Sequence, residues 1–223
     1  SINASGILTW ASPVVGTYSV TVTAKDSVAN LSSQAVITVK ITAPVPPTVS
    51  AASINGTVGK ALSFNITASG PNALSYSLTG APTGMSVSST GVVSWATPVL
   101  GKYSITAIVK DSKNGLTAQA IYTVTIVNPP APSIAAASIS GAVGKALSFN
   151  VTSVASNAVT YTMTGAPSGM SMTTAGAVTW STPLLGKYTV TFTAKDTVSG
   201  LSGSDIYTIT IVNPPAPIVT AQA

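Results

Sequence analysis

Cysteine, histidine, glutamate and arginine are all missing from these 223 residues. Without cysteine there is no disulfide, thiolate metal site or thiol chemistry, and an oxidising compartment is neither required nor excluded. Without histidine, glutamate or cysteine the many serines and threonines have no ordinary partner to activate them as nucleophiles. Charge is confined to nine lysines and four aspartates, a formal net charge of +5. That balance does not make a nucleic-acid surface, because phosphate backbones are held by clustered cations and arginine forks, and these lysines are scattered one or two to a strand. No uninterrupted apolar run approaches the ~20 residues of a membrane helix, so no membrane span is expected in this segment. Ser1 opens no basic, apolar, small-residue leader. We therefore expect a processed or excerpted chain whose targeting or anchoring segment lies elsewhere.

What is present is a repeat. Thr90-Gly91-Val92-Val93-Ser94-Trp95-Ala96-Thr97-Pro98-Val99-Leu100-Gly101-Lys102-Tyr103 recurs as Ala175–Tyr188 and as Ser5–Tyr18. Trp10, Trp95 and Trp180 stand 85 residues apart, as do Asp26, Asp111 and Asp196, so the register holds without insertions. A period of that length is too long for a solenoid unit and suits a small domain strung in tandem. The expected division is 1–43 as the C-terminal half of a unit, 48–128 and 133–213 as complete units, and 218–223 as the first strand of another.

The complete second unit predicts seven short strands. Thr48–Ile54 is the first, with Gly56 and Gly59 turning the chain out of it. In Ala61–Thr67, Leu62, Phe64 and Ile66 alternate with Ser63, Asn65 and Thr67, the period of a half-buried strand. Leu74, Tyr76 and Leu78 repeat the pattern. Gly80–Gly84 reads as a loop, and Met85–Ser88 and Val92–Trp95 flank a tight turn at Gly91. Tyr103–Lys110 is the clearest strand, with Tyr103, Ile105, Ala107 and Val109 on one face. Thr117–Val127 closes the unit with Tyr122, Val124 and Ile126 inward. Short alternating strands without a helical pattern predict an all-β, antiparallel sandwich.

Pro44-Val45-Pro46-Pro47, Pro129-Pro130-Ala131-Pro132 and Pro214-Pro215-Ala216-Pro217 separate the units. Proline favours extended geometry, so these are stiff spacers, and an odd strand count carries the chain from one end of each sandwich to the other. A rod is expected. The first unit lacks counterparts of Ala61–Asn65 and Leu74–Leu78, which leaves a hydrophobic face and open edges. Either the chain is a window onto a longer array, the reading we favour, or a neighbouring molecule supplies strands, as in a polymerising subunit.

The ordered motif Gly80-Ala81-Pro82-Thr83-Gly84-Met85, then Gly91–Pro98, Gly101-Lys102-Tyr103 and Lys110-Asp111, resembles the immunoglobulin-like repeats of bacterial surface proteins. It is also similar to dystroglycan-type cadherin-like domains. The third unit matches with Gly165–Met172 and Lys195-Asp196. The resemblance implies a β-sandwich in a secreted or cell-surface protein, serving as a spacer or adhesion module, and it carries no catalytic residues. Cadherin-like relatives that bind calcium use clusters of acidic residues, from which this chain departs.

Calcium takes 6–8 oxygen ligands, several of them carboxylates. Asp26, Asp111 and Asp196 are weak candidates, each one carboxylate with Asn30 or Asn114 nearby in two copies and Asn128 or Asn213 before the linker. The stronger reading is an aspartate capping the turn after a strand, with no cofactor. Asp205 occurs in one unit only and reads as a surface charge. The tryptophans could form a sugar-stacking row, yet Leu8, Val93 and Val178 lie two residues before them on the same strand face, which favours core packing. Lys110 points away from Asp111, against an isopeptide crosslink. Asn3, Asn30, Asn55, Asn65 and Asn150 sit in Asn-x-Ser/Thr triplets, which matter only in a glycosylating host. The expected role is a structural, non-catalytic stalk whose partners are neighbouring repeats, with a glycan- or protein-binding adhesin repeat and a self-associating filament subunit as alternatives.

Overall fold

The computed structural model describes residues 1–216. The expected strand at 218–223 lies outside the described residues. Every regular element described is a β-strand. In the partial unit, β1 (Gly16–Lys25) and β2 (Ser32–Ile41) form one antiparallel hairpin, with Gly16 opposite Ile41 and Lys25 opposite Ser32.

The second unit contains β3 (Thr48–Val49), β4 (Ala52–Thr57), β5 (Leu62–Asn65), β6 (Ala68–Ser69), β7 (Leu74–Thr79), β8 (Met85–Val87), β9 (Val92–Trp95), β10 (Gly101–Asp111) and β11 (Thr117–Val127). The third contains β12 (Ala137–Ala142), β13 (Leu147–Asn150), β14 (Val159–Thr164), β15 (Met170–Met172), β16 (Ala177–Trp180), β17 (Gly186–Asp196) and β18 (Ser202–Val212). Each unit pairs a four-stranded sheet, β4-β11-β10-β7 or β12-β18-β17-β14, with a three-stranded one, β5-β9-β8 or β13-β16-β15. A small β3-β6 pair completes the second unit, and a Ser133–Val154 bridge takes its place in the third.

The opening strand differs from expectation. Thr48–Ile54 is not one strand. β3 pairs antiparallel with β6, and the chain then crosses to the other sheet, where β4 runs parallel to β11. β12 and β18 repeat this parallel pair, while the other strand ladders are antiparallel. No local signal marks the break, because each half is defined by a partner far along the chain. Gly56 is inside β4 rather than in a turn, and a Cβ there would lie 2.7 Å from the Ile126 side chain. Its glycine makes room for the Ile126 side chain of the neighbouring strand β11 in the same sheet. Gly59, at φ 82°, makes the turn.

Alternation delivers the core. Val93 and Trp95 from β9, Ile105, Ala107 and Val109 from β10, and Tyr122, Val124 and Ile126 from β11 are buried between the two sheets, with Ile66 beside them. Val178, Trp180, Val190, Phe192, Ala194, Tyr207, Ile209 and Ile211 repeat the arrangement. Full burial of one such aliphatic or aromatic side chain is worth about 1.5–3 kcal/mol.

The partial unit follows the same sequence with a different outcome. β9 is held by β5 on one side and β8 on the other, with Leu62 and Met85 both opposite Trp95. In the first unit the β5 counterpart is absent, and the segment around Leu8 forms only a single bridge to Ile2. Trp10 is consequently 44% exposed, against 1% for Trp95 and Trp180.

Candidate functional site

Two side-chain constellations recur with the repeat. The first is built on the stretch that defines the register. The strand carrying the tryptophan ends at Trp95, the chain turns through Pro98 to Gly101, and the next strand brings Tyr103 back over the indole. Trp95 and Tyr103 meet edge to face with centroids 5.1 Å apart, and Trp180 and Tyr188 do the same at 5.1 Å. The indole Nε1–H of Trp95 donates to the Thr83 carbonyl at 3.1 Å, and that of Trp180 to Ser168 at 3.1 Å. The tyrosine hydroxyl donates back to the loop it spans, Tyr103 to the Val99 carbonyl at 3.0 Å and Tyr188 to Leu184 at 3.1 Å. A buried indole whose N–H is satisfied inside the fold presents no ring face to a sugar. In the complete units this constellation is a structural latch.

An open groove of about 480 Å³ lies in the partial unit, lined by Leu8, Trp10, Pro13, Val20, Val39 and Ile41. Their counterparts in the second unit are Val93, Trp95, Pro98, Ile105, Val124 and Ile126, all buried. The groove is therefore the interior of a sandwich seen without its opposing strands.

The second constellation is the aspartate turn. Asp111 Oδ1 accepts the N–H groups of Lys113 and Asn114 at 2.9 and 3.1 Å, and Oδ2 accepts the side-chain amide of Asn72 at 2.9 Å. Asp196 repeats this with Val198 and Ser199 at 2.8 and 2.9 Å and with Asn157 at 3.0 Å. Both carboxylates are inaccessible to solvent in the folded chain. The Asn72 amide, with the Lys113 and Asn114 N–H groups, holds the Asp111 carboxyl below the usual carboxylate range against the opposing cost of burial. For Asp196 the Ser199 N–H is the leading cause of the same downward shift, helped by Val198 and Asn157. Asp26 keeps only the backbone part, Val28 and Ala29 at 2.7 and 2.9 Å, with Ala29 the larger cause of its lowered pKa.

Asp26, Asp111 and Asp196 thus lie in three separate turns, and each faces N–H donors. Asp205 is elsewhere and accepts the N–H of its neighbour Ile206 at 2.7 Å. Asn114 turns its side chain inward, its oxygen accepting the Leu116 N–H at 2.9 Å and its amide reaching the Val45 carbonyl at 3.4 Å. Among the described residues no three His, Cys, Asp or Glu side chains gather as metal ligands. Serines do approach one another, as with Ser86 and Ser94 at 3.3 Å, but hydroxyls without a base remain unactivated.

Asn72 and Asn157 are site residues that strand and turn patterning did not single out. Their own 85-residue spacing was the available signal.

The geometry defines tandem immunoglobulin-type β-sandwiches, and the comparison with known families agrees. Residues 45–127 and 129–212 each match the family described as "Putative Ig domain", and the chain belongs to that family. Solved structures with a similar fold include the titin domains Z1Z2 in complex with telethonin, at 13% identity over 78% of this chain and 98% of that one, TM-score 0.46. Human protocadherin-24 EC1-2 matches at 20% identity over 77% of this chain and 100% of that one, TM-score 0.36. An endo-fucoidan hydrolase of glycoside hydrolase family 107 matches at 16% identity over 91% of this chain, TM-score 0.37, and the chain spans 35% of that enzyme's length. These likenesses concern the fold alone. Comparison with curated proteins gives no match. No helix among the described residues is long and apolar enough to cross a membrane.

Proposed function

We propose that this chain is a non-catalytic spacer segment of a bacterial cell-surface or extracellular fibrous protein, acting by reach and mechanical spacing. The observation that carries the reading is the repeated fold itself: one sandwich, copied in strict register, whose aromatic residues are spent on its interior. Short proline-rich links between the copies suit a string of beads with little slack. Membership of the Ig-like family supports a structural or surface-binding role.

A second reading, an adhesive repeat that recognises protein, is favoured by one feature. The loop under each tyrosine presents two adjacent aliphatic side chains, Val14 and Val15, Val99 and Leu100, Leu184 and Leu185, each 54–64% exposed. Apolar pairs displayed at a fixed interval are what a repeated contact would use.

Single-molecule pulling on the intact chain separates the two. A spacer should give two unfolding events of equal contour length, one per complete unit, and no saturable binding on glycan or extracellular-matrix protein arrays. Binding that is lost in Val99→Ser with Leu100→Ser, without loss of the unfolding events, would replace the spacer reading with the adhesive one.

A further inference from the structure

The two junctions between units differ although their linkers correspond position for position. Pro44 is exposed at the first junction, while its counterpart Pro129 is buried at the second. Pro132 is buried, as its counterpart Pro47 is, and Gly203 of β18 leaves it room, since a Cβ there would collide with the Pro132 carbonyl.

The second unit also touches the third directly. Its turn after β4 is held by Val58 N–H to the Val127 carbonyl and Lys60 N–H to the Thr57 carbonyl. The Lys60 ammonium then donates to the Ser156 carbonyl at 3.1 Å, across 96 residues. A Cβ on Gly59 would lie 2.8 Å from Asn157 Oδ1 and 3.0 Å from Val198 Cγ1. Asn157 and Val198 are themselves fixed by the Asp196 carboxylate, which accepts the side-chain amide of one and the backbone N–H of the other. The aspartate turn therefore holds in place the surface that meets the preceding unit.

We propose that Gly59-Lys60 and the Ser156-Asn157/Val198 surface are the two halves of a keyed joint that fixes one unit relative to the next, with the proline linker closing it. The proposal rests on the spacer reading and supplies its stiffness. The third unit repeats the projecting half as Gly144-Lys145, where Gly144 has the same left-handed geometry, φ 72°, and an added Cβ would meet nothing within 4 Å. The receiving half is not repeated faithfully: the second unit has Asn72 and Asp111 but Lys113 where the third has Val198. A lysine there would face an incoming Gly-Lys turn with like charge. The partner that fits Gly144-Lys145 is thus another immunoglobulin-like unit with an aliphatic residue at the position of Val198.

Because the chain has no cysteine, Lys110→Cys and Lys195→Cys place one spin label on each complete unit at exposed sites. Double electron–electron resonance on the full chain should give one narrow distance distribution. Val198→Lys, a substitution the fold already accommodates at Lys113, should broaden it by about twofold or more, toward the spread of a tether acting alone. Lys60→Ala, at an exposed side chain, should broaden it less. A distribution already broad in the parent, or one unmoved by both substitutions, would overturn the joint. That result would leave the pulling and binding outcomes untouched, so failure of the joint is distinguishable from failure of the spacer reading.

Discussion

Residues 8–41 and 178–211 share one pattern in strict register, yet the first stretch is an open hairpin and the second lies in a closed sandwich. The contrast separates interactions a stretch makes with itself from those it borrows. Tyr18 still caps its loop, donating to the Val14 carbonyl at 3.0 Å, and still meets Trp10 edge to face at 4.8 Å. Asp26 still accepts its turn amides. What the partial unit lacks is every contact supplied from far along the chain: the β5 side of the tryptophan strand, and the asparagine amide on the aspartate. Local geometry survives alone, whereas burial does not.

The largest test of that division is Trp180→Ala. It should cost the third unit about 3–5 kcal/mol, as expected for emptying a buried aromatic site. Trp10→Ala should leave the guanidinium unfolding of the two complete units unchanged. Equal effects would erase the distinction between the regions.

Acid is the next lever. A carboxyl whose folded pKa lies below its unfolded value contributes stability above about pH 4, and that contribution is lost as pH falls through the folded value. Asp111 and Asp196 are both shifted down. Melting temperature followed by circular dichroism should therefore drop on acidification below about pH 4. Asp111→Asn with Asp196→Asn should blunt that drop, and Asp26→Asn should not alter the profile of the complete units.

Smaller still is the latch. Tyr188→Phe removes one hydroxyl bond to the loop and should cost about 0.5–1.5 kcal/mol in urea unfolding of the third unit. Tyr18→Phe should not change the unfolding of either complete unit.

Calcium should have the least effect. In Asp196, Oδ1 accepts two backbone N–H groups and Oδ2 accepts the Asn157 amide. A cation seeking 6–8 oxygens would have to displace them. Excess calcium, or a chelator, should leave the melting temperature of both complete units where it was. A rise with calcium would show that the aspartate turn opens to a metal.

The sequence by itself determined the repeat and its register, the alternation that selects the inward residues, and the turns. It also pointed all three tryptophans inward through Leu8, Val93 and Val178 on the same face, which holds for Trp95 and Trp180 but not for the 44% exposed Trp10. These are legible because period-2 patterning and turn chemistry act over a few residues. Tertiary structure decided the rest. It split the first strand between two sheets, set β4 parallel to β11, brought Asn72 and Asn157 to their aspartates, and buried Pro129 while leaving Pro44 exposed. Each of these depends on a partner tens of residues away, and similar local sequence can meet different partners. Trp10 shows the consequence, since the same motif that closes a core in one unit lies half open in another.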